Sequence, residues 1–360
     1  MTLPNTMTAM VTMGHGDLDQ MVLHTDWPRP EPAADEVLIK VGACGLNNTD
    51  VNTRSGWYSK TVSDATTGRA FADVGDDDPT WGGAPISFPR IQGADVCGKI
   101  VGVGADIDNA RIGERVITDG WLRDPDDPEN MDKTGYYGSE RDGGFAQYAT
   151  TPARNALEIR SELSDAELAT FSCSYSTAEG MLTKAHVTER DTVLIPGASG
   201  GVGGALVQLA KRRGARVIAM ASETKHSDVA KFGPDRLLPR GPEDLSAALG
   251  DERITVVADV VGGPYWPKLV EILARGGRYT CSGAIAGPMV NLDLRTFYLR
   301  DLTFTGSTVI PLEVMPNLVR YIEQGEIKPV LAATYPLDQL REAQAAFIAK
   351  KHTGNIVVVP

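Results

Sequence analysis

Cysteine is scarce and scattered. The four in 360 residues, Cys44, Cys97, Cys173 and Cys281, stand far apart. That spacing excludes a CxxC zinc ribbon, a vicinal redox pair and a disulfide framework. The five histidines, His15, His24, His186, His226 and His352, form no recognisable pair, so they offer no histidine-based acid–base motif. No stretch approaches about 18 uninterrupted apolar residues, so nothing reads as a membrane span. The opening MTLPNTMTAMVTMGHGD lacks a basic region followed by an apolar run and does not read as a signal peptide. Positive charge is in deficit: 35 Lys and Arg against 47 Asp and Glu leave a net −12. Such a chain has no general attraction to phosphate backbones or anionic lipid. These absences predict a cytoplasmic protein that acts on a small molecule, with no nucleic-acid or membrane partner. A small basic pocket for one phosphorylated ligand is compatible with that balance.

What is present is ordinary globular composition, 42% hydrophobic and 23% charged, in a length that predicts two domains at about 150 residues each. The first 150 residues read as β-rich. Glu36-Val-Leu-Ile-Lys-Val41, Ile100-Val-Gly-Val103 and Arg115-Val-Ile117 are short β-branched stretches between glycine-rich turns. Two long polar stretches interrupt them, residues 59–88 with Gly75-Asp-Asp-Asp-Pro79 and residues 121–142 with Asp124-Pro-Asp-Asp-Pro-Glu129. Loops of that length are uncommon without a role. They read as solvated insertions, or as a lid or a subunit contact.

From about residue 160 the rhythm changes. Thr192-Val-Leu-Ile-Pro196 is a buried-type strand, and Val202, Ala205, Leu206, Leu209 and Ala210 then mark one helix face. Arg216-Val-Ile-Ala-Met220, Thr255–Val260 and Arg278–Cys281 are further strands with helical segments between them. Strand, helix, strand at this spacing predicts a doubly wound parallel sheet. The last fifty residues mix helix, Leu337 to Lys350, with a terminal strand at Asn355–Val359.

The strongest motif is Leu194-Ile-Pro-Gly-Ala-Ser-Gly-Gly-Val-Gly-Gly204. It follows a strand and opens an amphipathic helix, where a dinucleotide pyrophosphate needs it. Gly197 permits the turn, Gly200 lets backbone approach the pyrophosphate, and Gly203 lets helix pack on strand. The helix N-terminus adds N–H groups and the positive dipole end. Ser199, Gly201 and Val202 complete the expected cofactor contacts within this turn. The second strand then selects the dinucleotide. It ends near Ala221-Ser222 with no carboxylate at its tip, and Ser222 and Lys225 suit a 2′-phosphate. NADP(H) is therefore the expected cofactor. The opposing register makes Glu223 the ribose acceptor and favours NADH.

Several ordered motifs together resemble the medium-chain dehydrogenase/reductase superfamily across nearly the whole chain. Glu36 to Asp50 is similar to the start of its GroES-like catalytic domain. Gln92-Gly-Ala-Asp-Val-Cys-Gly98, Val101-Gly-Val-Gly104, Ile112-Gly-Glu-Arg-Val116, Gly143-Gly-Phe-Ala-Gln-Tyr148 and Ser176-Thr-Ala-Glu-Gly-Met-Leu182 follow in the family's order. The resemblance implies an α/β protein. A GroES-like β-rich catalytic domain, 1–158 completed by 311–360, would surround a Rossmann NADP-binding domain at 159–310. It adds Thr177 and Ala284 as cofactor contacts and places His352 in a segment near the cofactor.

The family's catalytic zinc positions fall here on Asn47, on Ala94-Asp95 and on Cys173, and residues 118–145 lack the cysteines of its structural zinc lobe. An amide and an alanine are not zinc ligands, so no metal is expected and the chain resembles the zinc-free quinone oxidoreductase-like branch. That branch's Asn-x-x-Asp is met by Asn47 and Asp50. Without a metal, a carbonyl oxygen must be polarised by hydrogen-bond donors. Asn47, Asp50 and Tyr58 are the candidate catalytic residues for hydride addition to a quinone, enone or other activated double bond. Two alternatives stay open: a zinc alcohol dehydrogenase with a rearranged site using Cys173 and Asp95, and a non-catalytic NADPH-binding sensor or partner protein. The segment Arg300 to Ile310 alternates and then runs apolar. The resemblance implies that it pairs across a two-fold axis in a homodimer.

Overall fold

The structure is a computed structural model that describes residues 3–71 and 86–360. Part of the first insertion, residues 72–85 with Gly75–Pro79, lies outside the described residues.

The chain divides into two compact units. The first comprises Met1–Val62, Thr67–Cys173 and Met315–Pro360; the second comprises Ser63–Thr66 and Ser174–Val314. The division therefore falls after Cys173, where the sequence suggested 158. The cause is local. Arg115 donates to the Asp165 carboxylate at 2.7 Å and to the carbonyls of Ser161 and Leu163, tying 161–165 to the strand Arg115–Thr118. The return to the first unit comes at 315 rather than 311. Residues 311–314 end in Val314, whose N–H bonds back to Pro311 O.

The first unit is the GroES-like domain expected. Its main sheet runs in the order Leu331–Pro336, Asn355–Val359, Glu36–Leu46, Asp95–Val103, Arg115–Thr118, Ala156–Glu158, and Tyr148–Pro152 also pairs with Glu36–Leu46. The last strand of the chain lies against the first long one, Ile356 opposite Leu46, so both chain ends build this unit. The reason lies in Ile356-Val-Val-Val359, a β-branched run that is buried through Val358 and needs a partner strand on each side. The polar stretch 121–142 contains a small hairpin, Trp121–Leu122 paired with Gly135–Tyr136.

In the second unit six strands form one parallel sheet. Their order is Arg236–Pro239, Arg216–Ala221, Thr192–Pro196, Ile254–Asp259, Leu273–Cys281, Thr303–Gly306. In chain order that is 3-2-1-4-5-6, the doubly wound Rossmann arrangement with its switch beside the first strand. Apolar runs such as Val193-Leu-Ile195 and Val256-Val-Ala258 are wholly buried, as strands covered on both faces must be. Leu194, Ile218, Val257, Trp266, Leu269 and Leu273 belong to one continuous core. The 300–310 segment contributes only a four-residue strand, Thr303–Gly306, at the end of the sheet. No described helix is long and apolar enough to cross a membrane.

Candidate active site

In the first unit, Asn47 leaves the strand Glu36–Leu46 in extended conformation and caps the helix Asn48–Ser55. Asp50, at the third helical position, accepts the Asn47 N–H at 2.8 Å, one arm of a capping box. Its other oxygen accepts the Gly93 N–H at 3.2 Å, so the carboxyl joins the helix start to the segment before Asp95. Burial pushes Asp50 up to about 7, against the opposing pull of those two N–H donors. Asp95 opens the strand Asp95–Val103 and accepts the Cys173 N–H at 2.9 Å. Burial pushes it up to about 8, the negative Asp50 adds to the rise, and the Asn47 amide and the Cys173 N–H oppose it. None of the groups acting on either carboxyl is a cation. Near neutral pH both are therefore poised between acid and carboxylate.

The Asn47 side chain stands between them. Its Nδ2 is buried and completes no hydrogen bond of normal geometry. A buried donor left in that state costs about 1–3 kcal/mol, which an incoming acceptor oxygen would relieve. Tyr58 lies just beyond the helix, its hydroxyl engaged with the side chains of Asn52 and Thr49, and burial raises its pKa. The three catalytic residues expected from sequence thus gather around one helix start.

Sequence reasoning missed Tyr136. The Trp121–Tyr136 hairpin, with the two rings edge-on at 4.8 Å, brings its hydroxyl to the Cys173 side chain. Burial, then the neighbouring Cys173 and Asp95, push that hydroxyl well above its ordinary pKa. No local pattern in 121–142 announces this; only the pairing of Trp121 with Tyr136 does.

This donor set does not fit the family's zinc. Asn47 and Ala94 hold two of the positions, and Asp95 spends an oxygen on the Cys173 N–H. Among the described residues no group of three His, Cys, Asp or Glu side chains is placed to hold a metal ion.

In the second unit, the glycine turn joins the strand Thr192–Pro196 to the helix Gly201–Arg212. Gly197 has φ +70°, which side chains rarely adopt, and a Cβ on Gly203 would sit 2.2 Å from Gly197 O. A Cβ on Gly200 would meet nothing nearer than Gly197 O at 3.6 Å, so this glycine borders open space. Ser199, Gly201 and Val202 lie in the same turn, ahead of N–H groups that a helix leaves without internal partners. This cradle fits a dinucleotide pyrophosphate.

The strand Arg216–Ala221 ends at Ala221, and Ser222 precedes a single 3₁₀ turn, Glu223–Lys225. The strand tip therefore carries no carboxylate, and Glu223 lies beyond it. Thr177 is half-buried on the helix Ser172–Lys184. Ala284 belongs to a loop that bonds to the end of the strand Ile254–Asp259, Ala286 N–H donating to Val261 O at 2.7 Å. That strand end is fixed by the fully buried Asp259, which accepts the Val261 N–H at 2.7 Å, the Gly262 N–H at 3.1 Å and the Tyr279 hydroxyl at 2.8 Å. Residues 63–66 of the first insertion group with this unit, Thr66 N–H donating to Ile285 O at 3.0 Å.

The chain is similar to known families and proteins over most of its length. Residues 33–161 match the alcohol dehydrogenase GroES-like domain family and residues 201–324 the zinc-binding dehydrogenase family. A solved putative alcohol dehydrogenase from Sinorhizobium meliloti is 46% identical, with a TM-score of 0.90 over 99% of this chain and 98% of that one. An acryloyl-coenzyme A reductase from Metallosphaera sedula is 28% identical over 98% of this chain and 99% of its own. A chloroplastic NADPH-dependent alkenal/one oxidoreductase from Arabidopsis thaliana is 26% identical over 100% of this chain and 81% of its own.

Proposed function

The chain belongs to the medium-chain dehydrogenase/reductase superfamily, and on that premise we propose that it reduces activated carbon–carbon double bonds, in enones or quinones, with NADPH and without catalytic zinc. It is a nicotinamide-dependent oxidoreductase like its relatives. The observation that carries the finer reading is the Asn47 amide, a buried donor beside the Asp95 carboxyl that completes no hydrogen bond of normal geometry, standing where the family's zinc site would begin.

When bound at the glycine turn, NADPH supplies a hydride. Hydride addition to a conjugated double bond moves charge onto the carbonyl oxygen as an enolate. The Asn47 Nδ2–H is the donor offered to that oxygen, and its alignment is held by Asp50 at the helix start. Asp95 flanks the same amide and limits its freedom. An enolate needs weaker stabilisation than an alkoxide, which suits an amide donor in place of a metal. Two relatives carry names that fit this chemistry, an acryloyl-coenzyme A reductase and an NADPH-dependent alkenal/one oxidoreductase. Ser222 and Lys225, without a strand-tip carboxylate, support NADPH over NADH.

We propose in addition that the protein is a homodimer. Leu294, Tyr298 and Leu299 are each at least 60% exposed on or just after the helix Leu294–Tyr298, which packs Phe297 against Phe304 of the edge strand Thr303–Gly306, and apolar surface of that kind beside a strand edge marks an interaction face.

The test is NADPH oxidation by purified protein against a panel of quinones, enones and unconjugated ketones, with zinc measured by elemental analysis. Turnover should be confined to conjugated acceptors, zinc should be well below one per chain, and a strong chelator should leave the rate unchanged. Stoichiometric zinc lost together with activity would establish the zinc alcohol dehydrogenase reading instead. Tight NADPH binding with no turnover on any acceptor would favour a sensor.

A further inference from the structure

The hairpin of the 121–142 stretch is anchored on both strands. Asp119 accepts the Trp121 N–H at 3.0 Å, and the buried Asn155 amide donates to the carbonyls of Asp119 at 3.0 Å and Trp121 at 2.8 Å. On the second strand, Tyr136 N–H donates to the Glu140 carboxylate at 2.7 Å and Tyr137 N–H to Gly120 O at 2.9 Å. The Tyr136 ring is then confined on two sides. Trp121 stands edge-on to it, and a Cβ on Gly120 would come within 2.9 Å of its Cε2 and 3.3 Å of its hydroxyl oxygen. A side chain at position 120 would displace the ring.

From that hydroxyl a line of contacts runs to the Asn47 amide. The Tyr136 hydroxyl engages the Cys173 side chain. The Cys173 N–H donates to Asp95 Oδ1 at 2.9 Å, so Cys173 is held through both side chain and backbone. Asp95 Oδ2 lies over Gly45, its partner across the sheet, where an added Cβ would sit 3.1 Å from that oxygen. With one oxygen bound and the other backed by a strand, the carboxyl has little freedom to turn. It is the group that stands beside the Asn47 amide nitrogen. Asp50 fixes the Asn47 backbone, whose N–H it accepts at 2.8 Å. The amide nitrogen itself completes no hydrogen bond of normal geometry, so its direction depends on where Asp95 is held.

We propose that Tyr136 is a positioning residue for the reduction: through Cys173 and Asp95 it aims the Asn47 amide at the substrate carbonyl oxygen, and this is the task of the hairpin in the 121–142 stretch. This rests on the reaction proposed above and deepens it. The Tyr136 hydroxyl acts through its neighbours and has no need to touch the substrate. A shift of about 1 Å in a group that serves the transition state can cost about 100-fold in rate, so a contact two residues removed from the amide has leverage on turnover.

The test is steady-state kinetics with NADPH and an enone acceptor for the wild type, Tyr136→Phe, Gly120→Ala, Asn47→Ala and the two double variants that include Asn47→Ala. Tyr136→Phe keeps the ring beside Trp121 and removes only the hydroxyl. Gly120→Ala keeps the hydroxyl and displaces it. Each should lower kcat about tenfold and leave acceptor KM and NADPH affinity within about twofold, because the amide serves charge that develops only as the hydride moves. Asn47→Ala should lower kcat at least as far, and in its background neither change should lower kcat further. A merely structural loss would reduce activity in both backgrounds alike, and the retained NADPH affinity reports that the fold survives. Wild-type kcat in both Tyr136→Phe and Gly120→Ala overturns the proposal while the reaction reading stands. Additive losses in the double variants overturn it too, since Tyr136 would then act apart from Asn47. If the wild type turns over no conjugated acceptor, or Asn47→Ala keeps wild-type kcat, the reaction reading fails and the positioning role with it.

Discussion

Asp50 and Asp95 are two acids buried within one small cluster, with their carboxyls held at about 7 and about 8. An exposed aspartate in the unfolded chain titrates near ~3.9. Between about pH 4 and 8 the folded protein therefore binds more protons than the unfolded chain, and stability falls as pH rises through that window. The contribution of these groups is fullest below about pH 4 and is lost once pH passes their folded values. Asp95→Asn keeps an oxygen to accept the Cys173 N–H and removes the titration. The variant should lose less stability than the wild type between pH 5 and 8.5, a difference of about 1–2 kcal/mol or roughly 1–3 °C in Tm for a chain of this length. Thermal melts of both proteins across that range check this. Parallel pH profiles would mean that Asp95 stays ionised in the fold and that the cluster holds a compensating charge.

At the scale of the element, the glycine turn separates folding from binding within four residues. A Cβ on Gly203 would meet Gly197 O at 2.2 Å, so Gly203→Ala must push the helix Gly201–Arg212 away from the strand. Overpacking of that kind costs about 1–3 kcal/mol, and both apo Tm and NADPH affinity should fall. A Cβ on Gly200 meets only an ordinary contact at 3.6 Å, so Gly200→Ala should melt like the wild type and yet bind NADPH at least about tenfold more weakly. Melting without cofactor and a binding titration separate the two, and wild-type affinity in Gly200→Ala would remove the cradle from the cofactor site. This turn was legible in the sequence because its requirements are local: a strand, three spaced glycines and an amphipathic helix lie in one stretch. The end of the second strand at Ala221 was legible for the same reason. Tyr136 was not. It reaches its place through pairing with another strand, Tyr136 opposite Trp121, and pairing partners leave no mark on local periodicity. Residues 159–173 group with the first unit on similar grounds, since Arg115, far upstream, bonds Ser161, Leu163 and Asp165.

At the scale of the whole molecule, charge and apolar surface pull assembly in opposite directions. Each chain carries a net −12, so two copies repel at long range, and the repulsion is screened beyond about 10 Å at 0.1 M salt. The attractive side is short-ranged. In the second unit the helix Leu294–Tyr298 leans on the edge strand through Phe297 and Phe304, whose ring centroids are 4.9 Å apart. Leu294, Tyr298 and Leu299 are each at least 60% exposed along it. The edge strand has four residues, too few for main-chain pairing to hold a dimer unaided, so the apolar side chains must carry most of the association. Two measurable consequences follow from that balance. Sedimentation at micromolar protein should show a dimer that tightens, rather than loosens, as salt rises from about 0.05 to 0.5 M, because screening removes the repulsion and leaves the apolar contact. The double variant Leu294→Glu, Leu299→Glu should sediment as a monomer with a nearly unchanged far-ultraviolet spectrum and NADPH affinity, since both side chains lie on the surface and outside the cofactor turn. A wild type that remains monomeric at micromolar concentration in high salt, or a double variant that still dimerises, would show that this face is not where the copies meet.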